Sequence, residues 1–400
     1  MAVGSRARSM VLGGVSALVI GGLLPATAMA APAPDAGAPR WSAAELPGGD
    51  AVLSASVKPD AHTTWAAGFR VDDDGGGVSF RPVLYAHDDR RGGAWTERPT
   101  APGVSGRVNA IAATSDRDAW LVGDADGEGQ PAMTQHWDGR AWREKPAAMP
   151  DNSLGGGLLG VAAVAPNDVW AAGWTQALDE RIPDPDGSTQ IIDHMEGLVQ
   201  HWDGRAWKRA ELPKGYANWG LNAISASGPN DVWAVGSGYG DDDRPVVLHY
   251  DGRSWKQLPT PPYGGLYGEF NSVVANGPGD VWAVGRTILD ENDRGHALIM
   301  HWNGRTWTRV AGPAEAGSLT GVAAAPGGVV AVGRILGADG GFALRVSGSR
   351  VTSLGFPAST AQRSYAPWTV AATGREVTVS GSARGAGGSG PLPLLLTTRL

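Results

Sequence analysis

Four aspartates and four histidines recur in step along the chain: Asp118 with His136, Asp168 with His201, Asp231 with His249, and Asp280 with His301. An Asp–His pair is raw material for general acid–base chemistry and, with further ligands, for a metal site. Four copies argue against both, because pairs spread around one fold cannot converge on one substrate. The simpler reading is a hydrogen-bonded lock repeated for structural reasons, each contact worth about 1 kcal/mol net. A second set of candidates lies outside the repeat: Asp193, His194 and Glu196, with Glu269 and His296 further on. A carboxylate pair among them would suit glycoside hydrolysis, although nothing in the sequence sets their separation.

The elements that must position these groups are legible in the repeat itself. Each Asp opens a Trp-centred phrase, at Trp120 (DAWLVG), Trp170 (DVWAAG), Trp233 and Trp282 (both DVWAVG). An earlier copy spans 64–68. Later copies span 329–333, where Val330 takes the Trp place, and 377–381. Each His opens a second phrase: HWDGRAW twice, then HYDGRSW and HWNGRTW. In the fourth unit four apolar runs, 221–226, 231–236, 245–250 and 254–258, are separated by Gly-, Asp- and Asn-rich turns. Runs of that length, rich in Val, Ile and Trp, read as strands joined by hairpins. Four antiparallel strands per unit, repeated about an axis, predict an all-β, seven-bladed β-propeller. The period is about 53 residues, near the kelch-like value of roughly 50. The last unit runs out after three strands. Trp41 and Glu45-Leu46-Pro47 match Trp207 and Glu211-Leu212-Pro213 of a fourth strand, so the N-terminal segment is expected to complete the last blade and close the ring.

Arg6 and Arg8, an apolar stretch over 10–24 and Ala28-Met29-Ala30 read as a signal peptide cut after residue 30. The apolar part is short for a span and interrupted by Gly, which disfavours a retained anchor. The expected division is a signal peptide over 1–30, a disordered linker over 31–39 and the propeller over 40–400, in a secreted, extracellular protein. The chain has 33 Lys and Arg against 40 Asp and Glu, a formal net charge of −7. Nucleic acid is a poor partner for such a balance, since phosphate binding needs clustered cations. No later stretch is apolar enough to span a membrane. There is no cysteine, which excludes disulfides, thiol nucleophiles and thiolate metal sites.

The repeated Asp-Val-Trp-Ala-Val-Gly and Trp-Asp-Gly-x-x-Trp phrases resemble those of secreted actinobacterial β-propeller proteins, over nearly all of residues 40–400. The Asp251-Gly252 turn with Trp255 is also similar to the Asp-box of sialidases and related propellers, with a spacing one residue shorter. The resemblance implies the fold and a structural role for the turn. It transfers no catalytic residue.

If repetition marks scaffold, departures from it mark candidate function. They cluster in the loops between second and third strands and in the connectors between blades, which a propeller places on one rim. The longest such loop covers 174–196. The aromatic and polar candidates there are Trp174, Tyr216, Asn218, Trp219, Tyr239, Tyr263, Tyr267, Glu269 and Trp368. Aromatic planes beside amides and carboxylates suit carbohydrate, the ring covering the C–H face of a sugar. The leading expectation is therefore a non-catalytic, lectin-like binding module for carbohydrate or cell-surface glycan, acting alone or as the targeting subunit of an extracellular assembly. A protein-interaction scaffold and a polysaccharide hydrolase or lyase are the alternatives. Asp72/Asp74 and Asp124/Asp126, each followed by Gly, give a weak calcium signal; otherwise no cofactor is expected. Ser54, Asn109, Asn222 and Asn271, eleven residues before each Trp, with Gly160, Gly321 and Thr369 in related places, are expected to line an axial funnel.

Overall fold

Val232, Trp233, Ala234 and Val235 are all fully buried. A strand covered on both faces has no polar side to show, which is why "VWAV" lacks alternation. In the computed structural model this strand, Asp231–Gly238, is the second of four. The antiparallel order is Trp219–Gly228, Asp231–Gly238, Pro245–Tyr250, Trp255–Gln257. The Asp-Gly-Arg turn closes the outer hairpin for two reasons. The Asp251 carboxylate accepts the N–H groups of Arg253 and Ser254, both at 3.1 Å. Gly252 takes a φ of 86°, which a residue with a Cβ adopts only under strain.

The structure describes residues 39–400 apart from 74–76, 127–129, 185–187, 215–216, 241–242, 261–262, 314–316 and 386–389. The expected signal peptide and almost all of the expected linker lie outside the described residues. Among those described, no helix is long and apolar enough to cross a membrane.

The propeller of four-stranded antiparallel sheets is present, but seven separate blades are not. Five four-stranded sheets stand alone. The remaining strands, from Gly106–Ser115 to Trp207–Arg209, run together as one eight-stranded sheet, joined where Gly157 pairs with Asp124. The expected count is corrected accordingly: five separate blades and one continuous sheet. The cause is local. A Cβ at Gly157 would lie 1.9 Å from the Asp124 carboxylate oxygen, so only glycine lets the two strands approach this closely.

The inner strands pack each against the next, and the last, Arg363–Thr373, packs against the first, Val52–Val57. The seam is a short pairing of Ser42 with Thr397 and Ala43 with Leu396. Trp41 secures it from outside: its indole N–H donates to Leu354 O at 3.1 Å and its ring meets Phe356 edge-on.

Each inner strand carries a β-bulge at the same level. The bulged residues Asn109, Asn222, Asn271 and Thr320 donate to a backbone carbonyl of the next inner strand, at 3.1, 2.8, 3.0 and 3.2 Å. Ser54 does the same to Val108 O. The polar residues expected in a funnel therefore tie neighbouring sheets together. Three of the expected equivalents are off by one: the bulge residues are Leu159, Thr320 and Trp368, not Gly160, Gly321 and Thr369.

Candidate functional site

Each Asp–His pair is a lock between neighbouring strands of one sheet. His136, His201, His249 and His301 place Nε2 at 2.7–2.8 Å from Oδ1 of Asp118, Asp168, Asp231 and Asp280. Each imidazole stacks on the repeated Trp of the same sheet, with ring centres 4.0–4.5 Å apart. Trp170, Trp233 and Trp282 also donate their indole N–H to that same aspartate oxygen. Burial opposes ionisation of Asp118, but His136 and Thr114 hold its carboxyl below the ordinary range. At Asp280 burial is likewise outweighed, by Asn276, His301 and Trp282. A carboxylate held ionised by two or three fixed donors orients strands and turns; it is not poised to take a proton.

The opposite rim carries the aromatic candidates, and they divide. Trp174, Met195 and Tyr239 close around Gly220: a Cβ there would lie 3.5 Å from Trp174 Cβ, 3.4 Å from Met195 Sδ and 3.7 Å from the Tyr239 ring. Trp174 and Tyr239 remain partly exposed. Burial raises the Tyr239 hydroxyl pKa. Asn218 is exposed beside them; its side-chain oxygen accepts Met195 N–H at 2.9 Å and its carbonyl accepts Tyr239 N–H. Next in the ring, the Tyr267 hydroxyl donates to Glu269, whose other oxygen lies 3.2 Å from Arg286 Nε. That contact is an ion pair out of line for a hydrogen bond. Burial, then Glu269, push the Tyr267 pKa strongly up, so this phenol stays a donor.

Other candidates are elsewhere or occupied. Trp219 is buried, 5% exposed, because its ring fills the place a side chain at Gly197 would take, 2.2 Å from an added Cβ. It is core, not rim. Tyr263 packs partly buried, its hydroxyl donating to Asp243 O at 3.3 Å. Trp368 sits at the inner-strand bulge with a buried indole N–H that finds no partner among the described residues. Tyr216 lies outside the described residues, as does Asp74.

The long "loop" over 174–196 is mostly strand. Asp168–Pro183 and Thr189–Trp202 pair continuously out to Pro183 opposite Thr189. The acids that would suit hydrolysis are cross-strand partners on this arm or local ion pairs. Asp193 accepts from Gln176 at 2.6 Å, His194 faces Asp179 at 2.8 Å, and His296 lies 3.3 Å from Asp293. The calcium candidates are likewise engaged. Asp72 holds Arg81 at 3.0 Å, Asp126 accepts Phe80 N–H at 2.8 Å, and Asp124 lies 3.3 Å from Arg107 and 3.0 Å from Asn109. Among the described residues no cluster of three or more His, Asp or Glu side chains is placed to hold a metal.

Sequence reasoning passed over one feature. On the Asp–His rim, a groove of about 510 Å³ opens between the sheet ending in Trp207–Arg209 and the one ending in Trp255–Gln257. Its floor is Trp170, Tyr250 and Trp255, and Arg209 and Arg253 stand at its edges. That size falls within the range of roughly 300–1,000 Å³ typical of ligand sites. The signal lay in the repeat itself: Tyr250 replaces the Trp found at 137, 202 and 302.

No family model matches the chain, and no curated protein matches it. Solved structures do. One, described as YCF48 bound to D1 peptide, aligns with a TM-score of 0.55 at 15% identity, over 92% of this chain and 99% of that one. Another is the extracellular domain of the putative hybrid two-component system BT4673 from B. thetaiotaomicron. It aligns with a TM-score of 0.51 at 11% identity, over 89% of this chain and 39% of that one. At these identities the likeness establishes the propeller fold alone.

Proposed function

We propose that this chain is a binding module of an exported protein, and that its rim recognises carbohydrate without turning it over. The carrying observation is the grouping of Trp174, Met195 and Tyr239 around Gly220, with the exposed Asn218 amide alongside. Two partly exposed rings give a platform for the C–H face of a sugar, and the amide and the neighbouring Glu269 give partners for hydroxyls. The repeated Asp–His pairs supply no chemistry to this reading, because each is consumed by its own tryptophan and strand. A glycan array followed by calorimetry tests it. Trp174→Ala and Tyr239→Ala should each weaken binding about tenfold or more, equivalent to at least about 1.4 kcal/mol, with no product released from a bound polysaccharide. Unchanged binding in both variants would overturn the assignment.

A second reading, a module for protein partners, is favoured by the groove on the other rim. The peptide-bound neighbour shows that a propeller of similar fold accommodates such a ligand.

A further inference from the structure

The opening at this junction has a reason visible in the repeat. After four of the outer strands, one backbone N–H returns to the third strand of its sheet. Lys145 donates to Thr134 O, Ala210 to Val199 O, Leu258 to Val247 O and Leu354 to Ala343 O. These residues occupy one structural place. Lys145 extends its ammonium over the Trp202 ring, 5.8 Å from the centre. Leu258 packs against the core cluster that holds Trp233, and Leu354 is buried outright. Ala210 is the small one, and it coincides with Tyr250 in place of Trp. Two reductions in size coincide at this junction, beside the groove lined by buried Trp170 and Trp255 and by partly exposed Tyr250.

The walls carry a charge opposite to the chain as a whole. Lys208, Arg209 and Arg253 line the groove with Glu211 as the one acid, on a chain of formal net charge −7. Lys208 is held by Asp203 at 2.7 Å. Arg209 and Arg253 are exposed, and neither guanidinium has an ion-pair partner among the described residues.

We infer that this groove is the docking site for an extended acidic segment of a protein partner. One apolar side chain packs over Ala210 and the exposed part of Tyr250, and flanking carboxylates meet Arg209 and Arg253. Arginine forks favour carboxylates with bidentate geometry. The inference rests on the protein-partner reading above and gives it a site and a chemistry. It uses the rim opposite to the proposed sugar platform.

The test is selection from a phage-displayed random peptide library on the full chain, with counter-selection on Ala210→Leu. Leucine already occupies this place at 258 and 354, so the variant should fold; a thermal melt checks this, and Ala210→Lys, which copies the residue at 145, substitutes if it does not. The expected pool is rich in Asp and Glu around one apolar residue. By fluorescence anisotropy its members lose about tenfold or more in affinity for Ala210→Leu, and the Arg209→Glu/Arg253→Glu variant prefers the Lys-substituted peptide. Trp174→Ala leaves peptide binding unchanged. A basic or uncharged pool sensitive to Ala210→Leu would keep a peptide groove but overturn the acidic partner. No enrichment, or enrichment indifferent to Ala210→Leu, would overturn the site.

Discussion

The strands between residues 153 and 209 have neighbours on both sides, and the two junctions are opposites. On the side of Trp120, the junction is sealed. Trp120 is wedged against Trp202 and Trp207 with ring centres 4.8 and 5.0 Å apart, Lys145 covers Trp202, and Gly157 pairs directly with Asp124. On the other side Trp170 meets Tyr250 and Trp255 at 4.9 and 5.6 Å, and a groove remains above Ala210. The repeated phrases set where the rings stand. Single side chains between the phrases decide whether the junction is closed.

The strongest way to break this comparison is to empty both junctions. Trp120→Ala removes a fully buried indole and should cost about 4 kcal/mol of unfolding free energy in urea. Trp170→Ala, beside space that is already open, should cost about 1 kcal/mol less, since the penalty follows the new cavity. Equal losses would mean that the groove has no bearing on packing.

The next effect is a pH dependence special to the sealed side. Burial pushes the Asp124 carboxyl up to about 6, against the opposing pull of Arg107 and Asn109. In the unfolded chain it titrates near about 4. Between those values the folded state holds the proton more tightly, so this contribution to stability is greatest below about pH 4. It falls as pH rises to about 6 and stays low above, a loss on the order of 3 kcal/mol. Asp118 and Asp280, held low, act in the opposite sense, so the difference from Asp124→Asn isolates the term. That variant should lack the decline when urea midpoints are compared at about pH 4 and about pH 7.

Gly157→Ala should then cost about 1–3 kcal/mol, because its methyl group must displace the Asp124 carboxylate. Slow hydrogen exchange at the joined strands should be lost with it. Lys145→Ala is the mildest change, about 0.5–1 kcal/mol for a half-buried cation over an indole. A loss above about 2 kcal/mol would show that the lysine packs rather than covers.

How much of this was legible follows from what each residue depends on. The Asp–Trp and His phrases name their own partners, because strand pairing brings Asp231 to His249 in every copy that keeps both. The size of the sheets did not emerge, since joining two of them depends on one glycine meeting one carboxylate from 33 residues earlier. Trp219 reads as a rim aromatic because nothing near it in sequence announces Gly197, the residue that makes room for its ring. The 174–196 segment reads as a loop because Asp179, Glu180 and Asp193 break the apolar pattern, although exposed strands of an arm tolerate such residues on both faces. Ala210 and Tyr250 were readable all along, as departures within the phrases rather than between them.

The seam at Ser42 and Ala43 has a kinetic consequence. Its partners, Leu396 and Thr397, lie about 350 residues away, and closing a flexible loop of that length costs about 5 kcal/mol of chain entropy beyond a constant term. A two-residue pairing cannot offset that alone. The ring must close after the sheets between have assembled and shortened the effective loop, which places closure late in folding. Until then the strand Leu392–Arg399 presents a bare edge, and this is the moment at which a second chain, rather than the first chain's own beginning, can supply the missing strand.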